Sequence, residues 1–470
     1  MVRRPHSVFA ATLGCDKNLV DSEALLGRFA ARGLRVTHDP DEADVWVLNT
    51  CGFIEAARRD SMDAIARMCE EKGDRLLVVT GCLTQERGEE IRRDYPAIDL
   101  VSGIGNFDQV VQALTSGEDM VPVGRPDDVR YEGLRDRPLL TPPHLAFMKI
   151  SEGCNFRCSF CRIPLIRGDQ RSRTVAELAD EARRLAARGV RELMLVSQNT
   201  SDYGRDTGEG LESLVAELSG VPELEWVRLH YLYPGLIGTD AMRRILDTPK
   251  VLPYLDMPVQ HAAPAVLKAM NRPFRTDALA RFFTDLRAER PDLALRTTVL
   301  LGFPGETEDD VEQVLDFLAA VRFDHVGTYR YSPEAGTSGA SLTDLVDDEE
   351  VADREARVLD LQTEIARERQ LTRLGGAHRL VVDRLEDAED WRPVLEDLED
   401  RVDDADLDWL ETAETVAVAR SRHQAYEMDG VVLLDGAGRT PGEWLDARWT
   451  AVTPFDAAAA ALDPGKDAGS

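Results

Sequence analysis

The sequence predicts an α/β protein in three parts: an N-terminal parallel α/β sheet domain, a central partial (β/α)6 barrel and a small C-terminal antiparallel β-barrel. Three observations carry that prediction. Short apolar runs alternate with helical patterns over residues 1–130 and again over 140–372, as in parallel sheets covered by helices. Residues 373–455 change to closely spaced β-type runs, the later ones separated by Gly and Pro turns. A chain of 470 residues is long enough for such domains to bury sizeable cores.

In the first domain VFAATLG (8–14) precedes a helix beginning near Asn18, and DVWVLNT (44–50) precedes one from about Ile54 to Glu71. RLLVVTG (75–81) precedes a third from about Gln85 to Arg93. The opening MVRRPHSVFAATLGC has a basic start, but its apolar run is too short for a secretion signal and suits a buried strand. Cys15, Cys51 and Cys82 each follow directly on one of the three strands. Ligands gather beyond the carboxyl ends of parallel strands. Neighbouring strands lie about 4.8 Å apart, so three thiols on adjacent strand ends can share one cluster. Cys69 falls inside the second helix, on a stripe with Ile54, Ile65 and Met68, and reads as a buried bystander.

A linker rich in Asp, Arg and Pro runs from Gly124 to Pro143. The barrel strands are then AFMKIS (146–151), ELMLVS (192–197), WVRLHYL (226–232), YLDMPV (254–259), LRTTVLLG (295–302) and HVGTYRYS (325–332), with helices such as 174–188, 262–270 and 306–319 between them. A charged helical connector spans Asp347 to about Thr372. Within the last domain, residues 385–414 are acidic with recurring Leu and Trp, which fits a short helix. That stretch reads either as extra contacts to a basic partner or as a solvated insertion. Residues 456–470 read as a disordered tail.

Composition narrows the function classes. Hydrophobic residues make up 43% and charged ones 30%, the balance of a soluble globular protein. The longest apolar runs fall short of a membrane span. The expectation is a cytoplasmic protein, where seven cysteines point to metal ligands or reactive groups rather than disulfides. A net charge of −30 disfavours wrapping a phosphate backbone and favours a basic partner. Six Lys against fifty Arg, with abundant Ala and Asp, fits a proteome-wide bias equally well.

The most informative stretch is 154-CNFRCSFC-161, which follows directly on the first barrel strand. Barrel chemistry is placed on that carboxyl-end face. Structural zinc wants four ligands, yet no second pair is near and the closest histidine upstream is His144. A closed electron-carrier cluster also takes four thiolates. An iron with an open position is the remaining reading, and it gives a small molecule somewhere to bind.

This spacing, C-x3-C-x2-C after a first barrel strand, resembles the radical S-adenosylmethionine (SAM) superfamily. The resemblance implies a 4Fe–4S cluster on Cys154, Cys158 and Cys161, completed by the amino and carboxylate groups of SAM, and a radical-SAM barrel. SEGCNFRCSFCRIPLIRGDQRSR (151–173), LGCDKNLVDSE (13–23), NTCGFIEAA (49–57) and VTGCLTQ (79–85) resemble the methylthiotransferases of that superfamily, and the C-terminal segment is TRAM-like. In that family a second 4Fe–4S cluster is held by three cysteines that match Cys15, Cys51 and Cys82. Asp16 stands where the family commonly has proline. Most relatives modify an adenosine of transfer RNA, and one branch modifies an aspartate of ribosomal protein uS12. LGCDKNLVDSE, NTCGFIEAA and YEMDGVVLL (426–434) resemble that branch. From Val381 to Thr450 there are 20 Asp and Glu against 7 Arg, a net −13, which repels phosphate and attracts a basic protein.

The resemblance therefore implies a transferase that adds a methylthio group to the β-carbon of an aspartate in uS12. It would use two 4Fe–4S clusters, SAM and an unidentified low-potential electron donor, with no membrane partner and RNA contact only through the ribosome. Transfer-RNA methylthiotransferase and non-enzymatic metal-binding scaffold are the alternatives. Candidate SAM contacts are Phe160 inside the motif, Gln198 and Asn199 ending the second barrel strand, and Arg296 opening the fifth. GFPGE (302–306) either shapes the SAM pocket or makes a tight turn. Arg228 with His230, and Gln260 with His261, read as structural or functional pairs. SGIGNF (102–107) has two of the glycines of a dinucleotide loop and reads as a turn.

Overall fold

The computed structural model describes residues 5–116, 118–121, 123–126, 136–396, 398, 400–402 and 409–462. The chain forms two compact units. The first comprises Met1–Thr141, Leu145–Tyr231 and Ser332–Thr343, and the second Pro142–His144, Leu232–Tyr331 and Asp344–Ser470. This grouping does not follow the three sequence domains, because the barrel strands are shared between the units.

The first unit opens with strands β1 (Ser7–Thr12), β2 (Arg35–Val36), β3 (Val45–Thr50), β4 (Leu76–Gly81) and β5 (Leu100–Val101), in the order β2-β1-β3-β4-β5. The registered pairs are parallel. Every residue of β3 is buried, as expected of a central strand covered on both faces. Helices α1 (Asp16–Ala31), α2 (Glu55–Glu71), α3 (Cys82–Asp94) and α4 (Phe107–Ser116) complete the domain. Trp46, Leu48, Ile65, Leu77, Val79, Leu83 and Ile91 form one core cluster, with Cys69 packed against its edge as a bystander. α1 begins two residues and α3 three residues earlier than the sequence pattern placed them. Gly14 (φ 93°) and Gly81 (φ 113°) turn the chain sharply, so β1 reaches α1 through three residues and β4 passes into α3 directly. Of the expected linker, 127–135 lies outside the described residues.

The same unit holds the first half of the barrel: β6 (Leu145–Lys149), the hairpin of β7 (Ser151–Glu152) and β8 (Arg171–Ser172), helices α5 (Ile163–Arg167) and α6 (Val175–Ala187), then β9 (Glu192–Val196), α7 (Leu211–Ser219) and β10 (Trp226–Leu229). β9 pairs in parallel with both β6 and β10. The cysteine loop lies between β7 and β8.

The second unit contains α8 (Thr239–Asp247), β11 (Val251–Asp256), α9 (Pro264–Ala269), α10 (Thr276–Glu289), β12 (Ala294–Leu301), α11 (Glu308–Val321), β13 (His325–Arg330) and the connector α12 (Asp348–Leu371). β12 pairs in parallel with β11 and β13. The six expected barrel strands are thus β6, β9, β10, β11, β12 and β13.

Residues 377–461 supply β14 (Ala377–Asp387), α13 (Ala388–Glu396), β15 (Asp400–Arg401), α14 (Trp409–Thr412), β16 (Thr415–Ser421), β17 (Val432–Asp435), β18 (Trp444–Val452) and β19 (Ala457–Ala461). Strands β14, β16, β17, β19 and β18 follow one another, and β18 returns to β14, closing the barrel. Two expectations need correction. The reading of 456–470 as a disordered tail fails at its start: Ala457–Ala461 is a strand, paired with both β17 and β18, while 463–470 lies outside the described residues. Five alanines have weak strand preference, but the gap between β17 and β18 supplies partners on both edges. The barrel is also not purely antiparallel, since β17 and β19 run parallel. The described part of the acidic stretch has an apolar side. Trp391, Val394, Leu398 and Trp409 pack with Val416, Val418 and Leu433 in a second cluster on the barrel.

A buried charge cluster ties the second unit together. Asp324 accepts from Arg287, Arg369 and Arg373 and from the backbone of Leu295. Burial alone would raise its pKa, but Arg373, Arg287 and Arg369 hold it well below the usual carboxylate range. Such a group stabilises the fold above its unfolded pKa of about 3.9 and loses that contribution as pH falls below it. Among the described residues no helix is long and apolar enough to cross a membrane.

Two outcomes are expected. Truncation after Asp456 removes β19 and should lower the melting temperature by several degrees, whereas loss of an unstructured tail would leave it unchanged. Asp324→Asn should cost about 3–5 kcal/mol near neutral pH. It should also flatten the acid-side loss of stability, as read from urea unfolding across the acidic range.

Candidate active site

The ends of β1, β3 and β4 place Cys15, Cys51 and Cys82 at one edge of the N-terminal sheet, on adjacent strands. Cys15 caps α1 and is exposed, Cys51 is half-buried in the loop before α2, and Cys82 is buried at the first position of α3. Two glycines let these thiols approach. A Cβ on Gly14 would lie 2.9 Å from the Cys51 sulfur, and one on Gly52 would lie 2.9 Å from the Leu83 nitrogen. Ser61 Oγ accepts from the Cys51 amide and donates to its carbonyl, fixing that loop.

Cys154, Cys158 and Cys161 lie on the loop after β7. The Cys154 amide donates to Gly168 O at 3.1 Å and the Cys161 amide to Cys158 O at 3.0 Å, which folds the loop back on itself. Gly153 is required there: at φ 80°, a Cβ would fall 2.2 Å from Asp169 O. The Gly339 amide donates to Ser159 O at 2.7 Å. From the same return segment, buried Glu334 pairs with Arg58 at 2.6 Å and accepts from the Glu55 amide at 3.0 Å. Arg162, directly after Cys161, has its guanidinium 3.8 Å from Glu334 and also bonds Glu86 on α3.

Arg167, the last residue of α5, joins Cys82 to the strand that leads into Cys154. Its guanidinium donates to Cys82 Sγ at 3.2 Å, Asn18 Oδ1 at 2.6 Å, Asp21 Oδ2 at 3.1 Å and Glu152 Oε1 at 2.7 Å. Lys149 bonds Asp21 and donates to Glu152 at 2.8 Å. Gln198 donates to Glu152 at 2.8 Å and accepts from the Gly153 amide at 2.9 Å. Two cations and two carboxylates are therefore buried together, and removing one partner would strand a charge at a cost of about 3–5 kcal/mol.

Burial opposes the charge on Glu152, yet Arg167 and Lys149 hold its pKa down at about 2. Burial pushes the Cys82 thiol up to about 12, against the pull of Arg167 and with Cys15 and Cys51 adding to the rise. Burial likewise pushes Cys154 up to about 11 and raises Cys51. Beside Cys15, Lys17 bonds Asp16 at 2.8 Å and lies 3.3 Å from the centroid of the Tyr231 ring. Asp16, the residue that departs from the family pattern, thus has a charged partner.

The remaining sequence candidates fall in different settings. Phe160 is half-buried on the turn between Cys158 and Cys161. Asn199 is buried three residues beyond the end of β9, and neither its Oδ1 nor its Nδ2 has a hydrogen-bond partner. Arg296 sits in the second unit near the start of β12, where its guanidinium is held by Asp256 at 3.1 Å and Asp429 at 3.3 Å. Tyr254 donates to the same Asp429 at 2.7 Å. The motif YEMDG thus fastens the C-terminal segment to barrel strands of its own unit. Arg228 pairs with Glu192 at 3.1 Å, and His261 lies 3.3 Å from Glu306. Glu306 accepts from Gly302 N at 3.0 Å, so GFPGE is a turn pinned by its own glutamate.

Asn18, Asp21, Lys149, Glu152 and Arg167 were given no role by sequence reasoning. No local signal marks them: the polar residues 17, 18 and 21–23 of α1 read as a solvated face, yet all are buried. Among the described residues no three His, Cys, Asp or Glu side chains converge as ligands of one metal ion would. A 4Fe–4S cube binds each thiolate through a different iron, so its ligands need no common point. Two sets of three thiols fit that group.

Comparisons with known proteins place the chain in a family. A family model described as Uncharacterized protein family UPF0004 matches residues 7–103, and the Radical SAM superfamily model matches residues 148–318. The ribosomal protein uS12 methylthiotransferase RimO of Symbiobacterium thermophilum is 38% identical over 98% of this chain and 92% of its own length. The protein of the same name from Methylococcus capsulatus is 40% identical over 93% of this chain and 94% of its own. Among solved structures, the radical SAM methyltransferase TsrM of Kitasatospora setae superposes with a TM-score of 0.50 at 16% identity, covering 69% of this chain and 75% of that one. That likeness is one of fold.

Thiol alkylation of the metal-free protein checks the geometry. The thiolate is the reacting species, so buried Cys82 should react at least about a hundredfold more slowly than exposed Cys15 at mildly alkaline pH. Peptide mapping by mass spectrometry reads the order, and equal rates would contradict the burial described.

Proposed function

The chain belongs to the ribosomal protein uS12 methylthiotransferase RimO family, and on that premise we propose that it adds a methylthio group to the β-carbon of an aspartate in uS12. The observation that carries this reading is the presence of two sets of three cysteines in one compact unit, linked by the buried network around Arg167. Cys154, Cys158 and Cys161 hold one 4Fe–4S cluster, and Cys15, Cys51 and Cys82 hold a second. When bound, the clusters and SAM supply one-electron chemistry that activates a C–H bond too weakly acidic for a general base.

The chain's own residues do the rest. Phe160 and Asn199 border the SAM site, Asn199 with two buried polar atoms that lack protein partners. Gln198 positions the cysteine loop through Gly153 and Glu152. Arg296 is left out of the SAM contacts, because Asp256 and Asp429 already take up its charge. The acidic C-terminal barrel draws a basic protein rather than a phosphate backbone. The setting is the cytoplasm, with a low-potential electron donor as second partner.

Reconstituted enzyme should hold about eight irons, and replacing either cysteine set by alanine should remove about four. Incubation with SAM, reductant and either uS12 or transfer RNA decides the substrate. A mass gain on uS12 alone is expected, and a gain on RNA alone overturns the assignment.

A further inference from the structure

Arg167 donates both to a thiol of the N-terminal set, Cys82, and to Glu152 of the strand that leads into Cys154. It is 1% exposed, and its nearest carboxylates, Asp21 and Glu152, are also met by Lys149. The two carboxylates already balance the two cations. A deprotonated Cys82 sulfur is therefore an added negative charge, and it faces a donor fixed in place by three other acceptors. Hydrogen bonds to ligand sulfurs are among the features that set the potential of an iron–sulfur cluster, because they withdraw charge from the thiolate and favour the reduced form. A guanidinium does this with a rigid fork, whereas a lysine offers a mobile point charge.

We propose that Arg167 is a positioning residue that raises the reduction potential of the N-terminal cluster through its N–H···S bond to Cys82, while its bond to Glu152 ties that cluster's ligand to the loop holding the other. The inference rests on the two-cluster reading above. Asn18 belongs to the device: its Nδ2 donates to Leu13 O at 2.9 Å and Thr50 O at 3.2 Å, which fixes the Oδ1 that aims Arg167. The arrangement also makes the two sites interdependent, since displacement of Glu152 would release the guanidinium from one side and loosen its hold on Cys82 from the other.

The test uses the full chain with Cys154, Cys158 and Cys161 replaced by alanine, so that only the N-terminal cluster remains. Iron content is measured first, and absence of about four irons would overturn both the two-cluster reading and this inference. With the irons present, a redox titration followed by electron paramagnetic resonance compares this protein with the same protein carrying Arg167→Gln or Arg167→Lys. The potential should shift negative in R167Q and recover in part in R167K. Equal potentials in all three, at equal iron content, would leave Arg167 a packing residue and overturn the proposal. If the substitutions prevent cluster assembly, the unsubstituted Arg167 protein labelled with 15N-arginine gives the answer. Pulsed resonance on the reduced cluster should detect coupling to a guanidinium nitrogen, and absence of coupling overturns the proposal.

Discussion

The buried guanidinium of Arg167 is the constraint on which the first unit depends. A charge with 1% exposure has no water to fall back on, so its position is dictated by acceptors that other segments must deliver. α1 delivers Asn18 and Asp21, β7 delivers Glu152, and α3 delivers Cys82. Each of these segments begins or ends within two residues of a cysteine. The electrostatics that makes burial tolerable is therefore the same set of contacts that registers two cysteine-bearing loops against each other. Polar networks of this kind hold geometry well because each incomplete version leaves an unpaired charge.

Small residues do the complementary work. The strand ends can crowd their thiols together only because Gly14 and Gly52 leave no side chain in the way, and the barrel loop can fold back only because Gly153 does the same. The structure thus combines close backbone approach, which is a matter of missing atoms, with a rigid charged clasp, which is a matter of present ones. In the second unit Asp324 and Asp429 play the part of Arg167 with the sign reversed, each gathering cations or donors from several elements.

Much of this was legible from residues alone, and the reasons for what was not are specific. The six cysteines could be read because strand ends and motif spacing are local properties. The parallel strands were readable from their unbroken apolar runs. The partners of Arg167 were not. The segment RIPLIRGDQRSR carries four arginines within a dozen residues, and nothing local says which of them is buried. On α1, Lys17, Asn18 and Asp21–Glu23 look like a solvated face and are instead a buried one, because the neighbouring elements bring charge rather than hydrocarbon. Arg296 was placed correctly on its strand, but its partner Asp429 comes from 133 residues away. β19 escaped because an alanine run has no strand signature of its own and depends on a slot left by other strands.

One consequence lies in the order of synthesis. Ser332–Thr343 belongs to the first unit although a hundred residues separate it from Tyr231. Glu334 is the buried anion for Arg58 and faces Arg162, so these two arginines emerge from the ribosome well before the carboxylate that matches them. Until then Arg58 has only its exposed neighbour Glu55 and Arg162 only Glu86, for the time taken to translate about half of the barrel. The last buried contact of the first unit thus waits on a segment made a hundred residues after Tyr231.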